Sequence, residues 1–225
     1  MFSLSYAPSV RTVLQQLFAS AASAKTLPRS VPEGFSCTSG PAKERSDVMA
    51  TSYMPISPRC GDLLYSLTRA NFPSTVVEFG TSFGISTIYL AAALADNRRG
   101  HIYTTELSEH KVNAAQANLI GAGLADRVTV LPGDARETLR DVEGPIDLVL
   151  LDGWKDLCLP VLKLLEPKLA PGALIVADDI DQRAMNDYLQ YVRTPSNGYV
   201  SVPFLIDDGM EISFYGVKEA QRLPN

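Results

Sequence analysis

The sequence predicts a doubly wound α/β fold: seven strands in a mostly parallel sheet, closed by an antiparallel terminal hairpin and preceded by a helical lid. Three observations lead there. From residue 75 onward, short β-branched runs alternate with amphipathic stretches of helical period, as expected of a parallel sheet covered on both faces. Small or acidic residues stand at the ends of the first five strands: Gly80, Glu106, Gly133-Asp134, Asp152 and Asp178-Asp179. Two late apolar runs are separated by Asp207-Asp208-Gly209, a hairpin signal that turns the last strand antiparallel.

Taken in order, residues 8–23 read as a helix and 27–46, rich in Ser, Pro and Gly, as a loop. A second helix covers 59–71 after Pro55 and Pro58. Residues 1–70 therefore form a lid or accessory segment, and 71–225 the main domain. Thr75–Phe79, bounded by Pro73 and Gly80, is a buried strand, followed by a glycine-bearing turn and a helix at 84–96. Strand 101–106, helix 108–122, strand 127–132 and a short helix at 134–141 come next. Strand 146–151 leads into helix 156–169, strand 173–178 follows Pro171-Gly172, and helix 181–193 precedes the hairpin strands 199–206 and 210–216.

Composition narrows the function. The 225 residues are 46% hydrophobic and 20% charged, ordinary for a globular protein with a sizeable core. The net charge is -5, and the twenty basic residues are scattered with no run longer than Arg98-Arg99, which argues against a nucleic-acid partner. No apolar run approaches the roughly 18–20 residues that a bilayer span needs. The N-terminus ends in an Ala/Ser stretch, but it lacks a basic start and Arg11, Gln15 and Gln16 interrupt it, so it reads as a helix and not a leader. Cys37, Cys60 and Cys158 have no metal-type spacing and an odd count, which reads as reduced thiols and a cytoplasmic location. The Ala-rich first helix suits packing on a second subunit, and a homodimer is expected.

In open α/β sheets ligands bind beyond the carboxyl ends of the strands. The first turn, Glu78-Phe-Gly-Thr-Ser-Phe-Gly84, allows close approach of a ligand to the backbone, but it is neither the dinucleotide glycine pattern nor a Walker loop. Glu106, at the end of the next strand, suits two ribose hydroxyls, and its charge disfavours a 2′-phosphate. Asp134, one strand further, can accept from an adenine amino group. These are the requirements of an adenosine cofactor without a phosphate chain. Each residue alone also has a structural reading, as turn glycine or helix cap.

The segments VVEFGTSFGIST and IYTTELSEHKVNAAQANLIGAGLADRVTVLPGDA resemble the cofactor half of class I S-adenosylmethionine-dependent methyltransferases. IDLVLLDGWKDLCLPVLKLLEPKLAPGALIVADDI is similar to the catechol O-methyltransferase-like, metal-dependent O-methyltransferases, and the likeness covers about residues 54–217. It implies S-adenosylmethionine as cofactor, with Glu78, Gly80, Ser82, Gly84 and Ser86 around its methionine part and Thr81 and Asp152 also binding it. Glu106 would take the ribose, Asp134 and Ala135 the adenine, and Met54 and Ile56 would flank the site from the lid. It further implies a divalent metal on Asp152, Asp178 and Asp179, Lys155 as general base and Trp154 as a wall of the substrate site. The chemistry is coherent: Mg²⁺ prefers carboxylate oxygens, and a ligating hydroxyl is acidified. The substrate implied is a small hydroxylated molecule, catechol-like, phenolic or a sugar diol.

Two departures stand out. Asp179 occupies a position where the family usually has Asn, and the added charge opens the site to Ca²⁺ or Mn²⁺. No acid stands in Tyr199–Pro203, where the animal catechol enzyme has a glutamate that clasps the second hydroxyl. Two alternatives stay open at the level of sequence: a metal-independent N- or C-methyltransferase, and a cofactor-binding regulatory protein.

Overall fold

Short runs dense in Val, Ile and Leu become strands because their branched side chains pack well on a pleated surface buried on both sides. The computed structural model describes residues 6–25, 31–32, 34–36 and 38–216. Its strands are β1 (Thr75–Phe79), β2 (His101–Glu106), β3 (Val128–Pro132), β4 (Ile146–Leu151), β5 (Leu169–Asp178), β6 (Tyr199–Phe204) and β7 (Met210–Tyr215). They form one sheet in the order β3-β2-β1-β4-β5-β7-β6. The first five are parallel, and β7 runs antiparallel to both β5 and β6. This is the class I methyltransferase architecture that the sequence predicts.

The helices are α1 (Pro8–Lys25), α2 (Ala42–Val48), α3 (Pro58–Asn71), α4 (Ile85–Asn97), α5 (Glu109–Ala122), α6 (Ala135–Thr138), α7 (Cys158–Leu165) and α8 (Asn186–Val192). Alternate residues of one strand feed opposite cores, as the two-residue strand period dictates. Val76, Leu148, Leu150 and Val176 join α1, α3 and α4 on one face, while Val77, Val149, Leu151 and Ile175 join α7 and α8 on the other. α4 is apolar all round because it lies between the sheet and α3. Gly61 of α3 lets the Tyr89 ring of α4 approach to where any Cβ would collide, 2.3 Å from the ring. Tyr6, Leu14 and Leu17 are buried in the same core, so the segment before residue 70 has no separate one.

Several boundaries differ from the sequence reading, each for a local reason. α2 lies inside the stretch read as loop; it is a polar seven-residue helix without apolar period, too short to hold without tertiary support. Residues 27–30, Glu33 and Cys37 of that expected loop lie outside the described residues. The helix expected at 134–141 covers only 135–138. The one expected at 156–169 is α7 flanked by 3₁₀ turns at Lys155–Leu157 and Glu166–Lys168, the second containing Pro167. The helix expected at 181–193 is a 3₁₀ turn, Arg183–Met185, followed by α8. β5 starts at Leu169, passing through Pro171-Gly172 with a register shift against β4.

Candidate active site

The strand order reverses between β1 and β4, and the chain leaves these neighbours in different directions. A cavity of about 440 Å³ opens there, beyond the carboxyl ends of β1 to β5 and beneath the stretch from α2 to the start of α3. Asp152 donates its N–H to the Phe79 carbonyl at 2.8 Å, which ties the two diverging ends together. Gly80 has φ of 105°, and a Cβ there would lie 2.6 Å from the Asp152 carbonyl oxygen. Only glycine tolerates both the positive φ and the close approach. Gly80 and Thr81 both donate N–H groups to the Thr105 carbonyl, at 3.2 and 3.0 Å, fixing the turn against β2.

Beneath the turn, Glu78 is fully buried and accepts hydroxyls from Ser86 and Thr87 at 2.5 Å and from Thr104 at 2.6 Å. Burial pushes its pKa up to about 7, against the pull of these donors. Glu106 accepts the N–H groups of Ser82 and Ser108, both at 2.8 Å, which hold its carboxylate at the cavity wall. Asp134 caps α6 through the Arg136 N–H and pairs with the Arg136 guanidinium at 2.6 Å; that partner holds its carboxyl below the usual range.

At the other end Asp152, Asp178 and Asp179 bring carboxylate oxygens within 4.8 Å of one another. Asp179 sits in the left-handed region at φ of 58°, a conformation that costs energy for a non-glycine residue and is found where side chains are aimed for function. Lys155 Nζ lies 2.8 Å from Asp152 and 3.0 Å from Asp179. Burial works against the lysine charge, but the two carboxylates outweigh it and raise its pKa. Burial, with the neighbouring carboxylates, raises the pKa values of Asp152 and Asp178. When all three are ionised, as a bound cation would favour, the carboxylates against one ammonium leave two negative charges, the complement of a hard divalent cation, so the donor set fits such an ion.

Of the residues singled out in the sequence, Met54, Ile56, Gly80, Thr81, Ser82, Ser86, Glu106, Asp134, Ala135, Asp152, Trp154, Lys155, Asp178 and Asp179 border this one cavity. Glu78 and Gly84 do not: Glu78 lies behind Ser86, and Gly84 caps α4 against Ala115. Three residues at or beside the site gave no sequence signal. Arg45 of α2 is 3% exposed, binds Asp156 through both guanidinium nitrogens at 2.8 and 3.0 Å and lies 4.6 Å over the Trp154 ring. Tyr53 stacks on Phe83 at 3.9 Å, and Lys111 reaches the same ring from α5. Their roles depend on where separate elements meet, which local pattern does not encode. Cys60 and Cys158 are buried and free. No helix among the described residues is long and apolar enough to cross a membrane.

Comparison with known proteins agrees with this geometry. A family model described as "Methyltransferase domain" matches residues 77–180. Catechol O-methyltransferase of Sus scrofa is 29% identical over 176 residues, covering 72% of this chain and 93% of that protein. Catechol O-methyltransferase of Mycobacterium tuberculosis is 34% identical over 136 residues, covering 60% of this chain and 61% of that protein, so the chain spans under two thirds of its length. Among solved structures, cofactor-bound Rv0187 from MTB superposes with a TM-score of 0.69 at 26% identity, covering 91% of this chain and 89% of that one. With the strand order, the glycine turn and the acids at successive strand ends, these likenesses establish that the chain belongs to the class I S-adenosylmethionine-dependent O-methyltransferases, of the catechol O-methyltransferase-like type.

Proposed function

We propose that this protein methylates one hydroxyl of a small substrate bearing neighbouring oxygens, catechol-like, phenolic or a sugar diol, with help from a divalent metal at Asp152, Asp178 and Asp179. The observation that carries the reading is the convergence of three carboxylates within 4.8 Å, with Lys155 in contact with two of them. Mg²⁺ is the first candidate, and the third carboxylate, Asp179, also admits Ca²⁺ or Mn²⁺. S-adenosylmethionine supplies an electrophilic methyl group on a positive sulfur, and a bound cation would polarise the acceptor hydroxyl and neutralise the carboxylates that keep Lys155 protonated.

The chain's own residues do the rest. Gly80, Thr81 and Ser82 form the wall for the methionine part of the cofactor, Glu106 receives the ribose hydroxyls, and Asp134 with Ala135 receives the adenine. Met54 and Ile56 cover the cofactor from the lid side. Glu78 and Gly84 act from behind: one orders Ser86 and Thr87, the other starts α4 at the required angle. Trp154 walls the acceptor end, where Lys155 Nζ takes the hydroxyl proton as the oxygen attacks.

The test is methyl transfer to a panel of diols and phenols with Mg²⁺, Mn²⁺ or Ca²⁺ and with excess chelator. Turnover is expected only with metal. The double change Asp178→Ala and Asp179→Ala, and separately Lys155→Met, should each cost about a hundredfold or more in kcat. Full activity in chelator, or in the double variant, would overturn the metal reading.

A further inference from the structure

The charged side chains of the cavity are mostly acidic, and among its described residues the only basic ones are Lys155 and Lys111. Lys155 is committed to Asp152 and Asp179. Lys111, in the first turn of α5, is 4% exposed, yet its Nζ makes no hydrogen bond or ion pair with any described residue. Its one close polar-type contact is with the Phe83 ring, 5.6 Å from Nζ to the centroid. An ammonium taken out of water without a counter-charge is costly, and buried charges are paired or bind ligands. Here the ring supplies only a weak attraction and Glu106 and Asp152 act on the charge without pairing with it, so a direct partner belongs in the cavity.

We propose that Lys111 binds the carboxylate of the methionine part of S-adenosylmethionine. The cofactor carries two positive groups, its ammonium and sulfonium, and one negative group. The acids of the cavity complement the first two, and Lys111 is the group left to complement the third. Its position lies away from Asp134 and the adenine: it stands beside Phe83 of the glycine turn, and the acids acting on its charge are Glu106, at the ribose, and Asp152, on the methionine side. Burial lowers its pKa, as befits an ammonium awaiting a counter-ion. The inference goes beyond the metal-assisted reading and holds whether or not a metal is needed.

The test is calorimetric binding to the full chain of two ligands, S-adenosylhomocysteine and 5′-methylthioadenosine, the second lacking the amino-acid carboxylate. Lys111→Met keeps the length and the packing on Phe83 while removing the charge. It should weaken S-adenosylhomocysteine about ten- to a hundredfold, the usual cost of a lost charged hydrogen bond, and leave methylthioadenosine within about twofold. Lys111→Arg, which keeps the charge, should hold S-adenosylhomocysteine within about threefold of the unaltered protein. Equal losses for both ligands, no loss for either, or an arginine variant as weak as the methionine one would overturn the assignment. Failure of the metal reading would leave these affinities unmoved, so the two ideas fall separately.

Discussion

Glu78 shows how a single residue can carry a measurable pH dependence. The folded protein holds it with a pKa of about 7, above the ordinary carboxyl value of 4.5, because burial disfavours its charge more than three hydroxyls favour it. The native state therefore binds this proton more tightly than the unfolded chain does. Stability contributed by the group is full below about pH 4.5 and falls as pH rises towards 7, by up to roughly 3 kcal/mol. Glu78→Gln should flatten that slope in urea titrations across the window; a slope unchanged by the substitution would reject the assignment. At this scale the sequence was informative wherever function demands a residue type at a strand end. Glu106, Asp152, Asp178 and Asp179 were legible because a parallel sheet gathers its carboxyl ends on one rim. Lys111 was not, since a lysine in a polar first turn reads as solvated, and only the approach of α5 to Phe83 buries it.

α2 is the element that local pattern missed, and its stability comes from one anchored side chain. Seven polar residues cannot sustain a helix alone, and Arg45 fixes this one by a forked pair with Asp156 and by stacking on Trp154. The anchor joins the lid to the 3₁₀ turn that carries Lys155. At the far end of the same strap Tyr53 is stacked on Phe83 of the glycine turn. Arg45→Ala should free α2 while leaving the sheet intact, at a global cost of about 1–2 kcal/mol because Asp156 is one-third exposed and can rehydrate. Trp154 is the sole tryptophan, so acrylamide quenching of fluorescence reports directly on the lid. Quenching should rise in Arg45→Ala, with faster amide exchange over residues 42–48, and stay unchanged in Lys43→Ala, which removes only an exposed pair on the same helix. Equal quenching in all three proteins would show that α2 is held by something else.

For the whole molecule, the two segments that look different in sequence share one core. Leu14 and Leu17 of α1 and Leu64 of α3 pack with Leu90 and Leu94 of α4, and Ser9 donates to the Ala122 carbonyl at the end of α5. Leu14→Ala should cost about 2–5 kcal/mol through loss of burial and the void left behind. Far-ultraviolet ellipticity and Trp154 fluorescence should still report one coincident transition in denaturant, because the cavity weakens a core common to both segments. Separate transitions would mean that the segment before residue 70 folds as an independent unit. By itself the sequence determined the alternation of strands and helices, the reversal of the last strand and the acids at the strand ends, because residue period and turn chemistry are local. Tertiary structure alone decided that α2 is a helix, that Arg45 braces Trp154, that Ser86 turns to Glu78, and that Lys111 borders the cavity with no ion pair among the described residues. Each of these depends on residues far apart in the chain, whose meeting is set by packing and charge burial and by no local pattern.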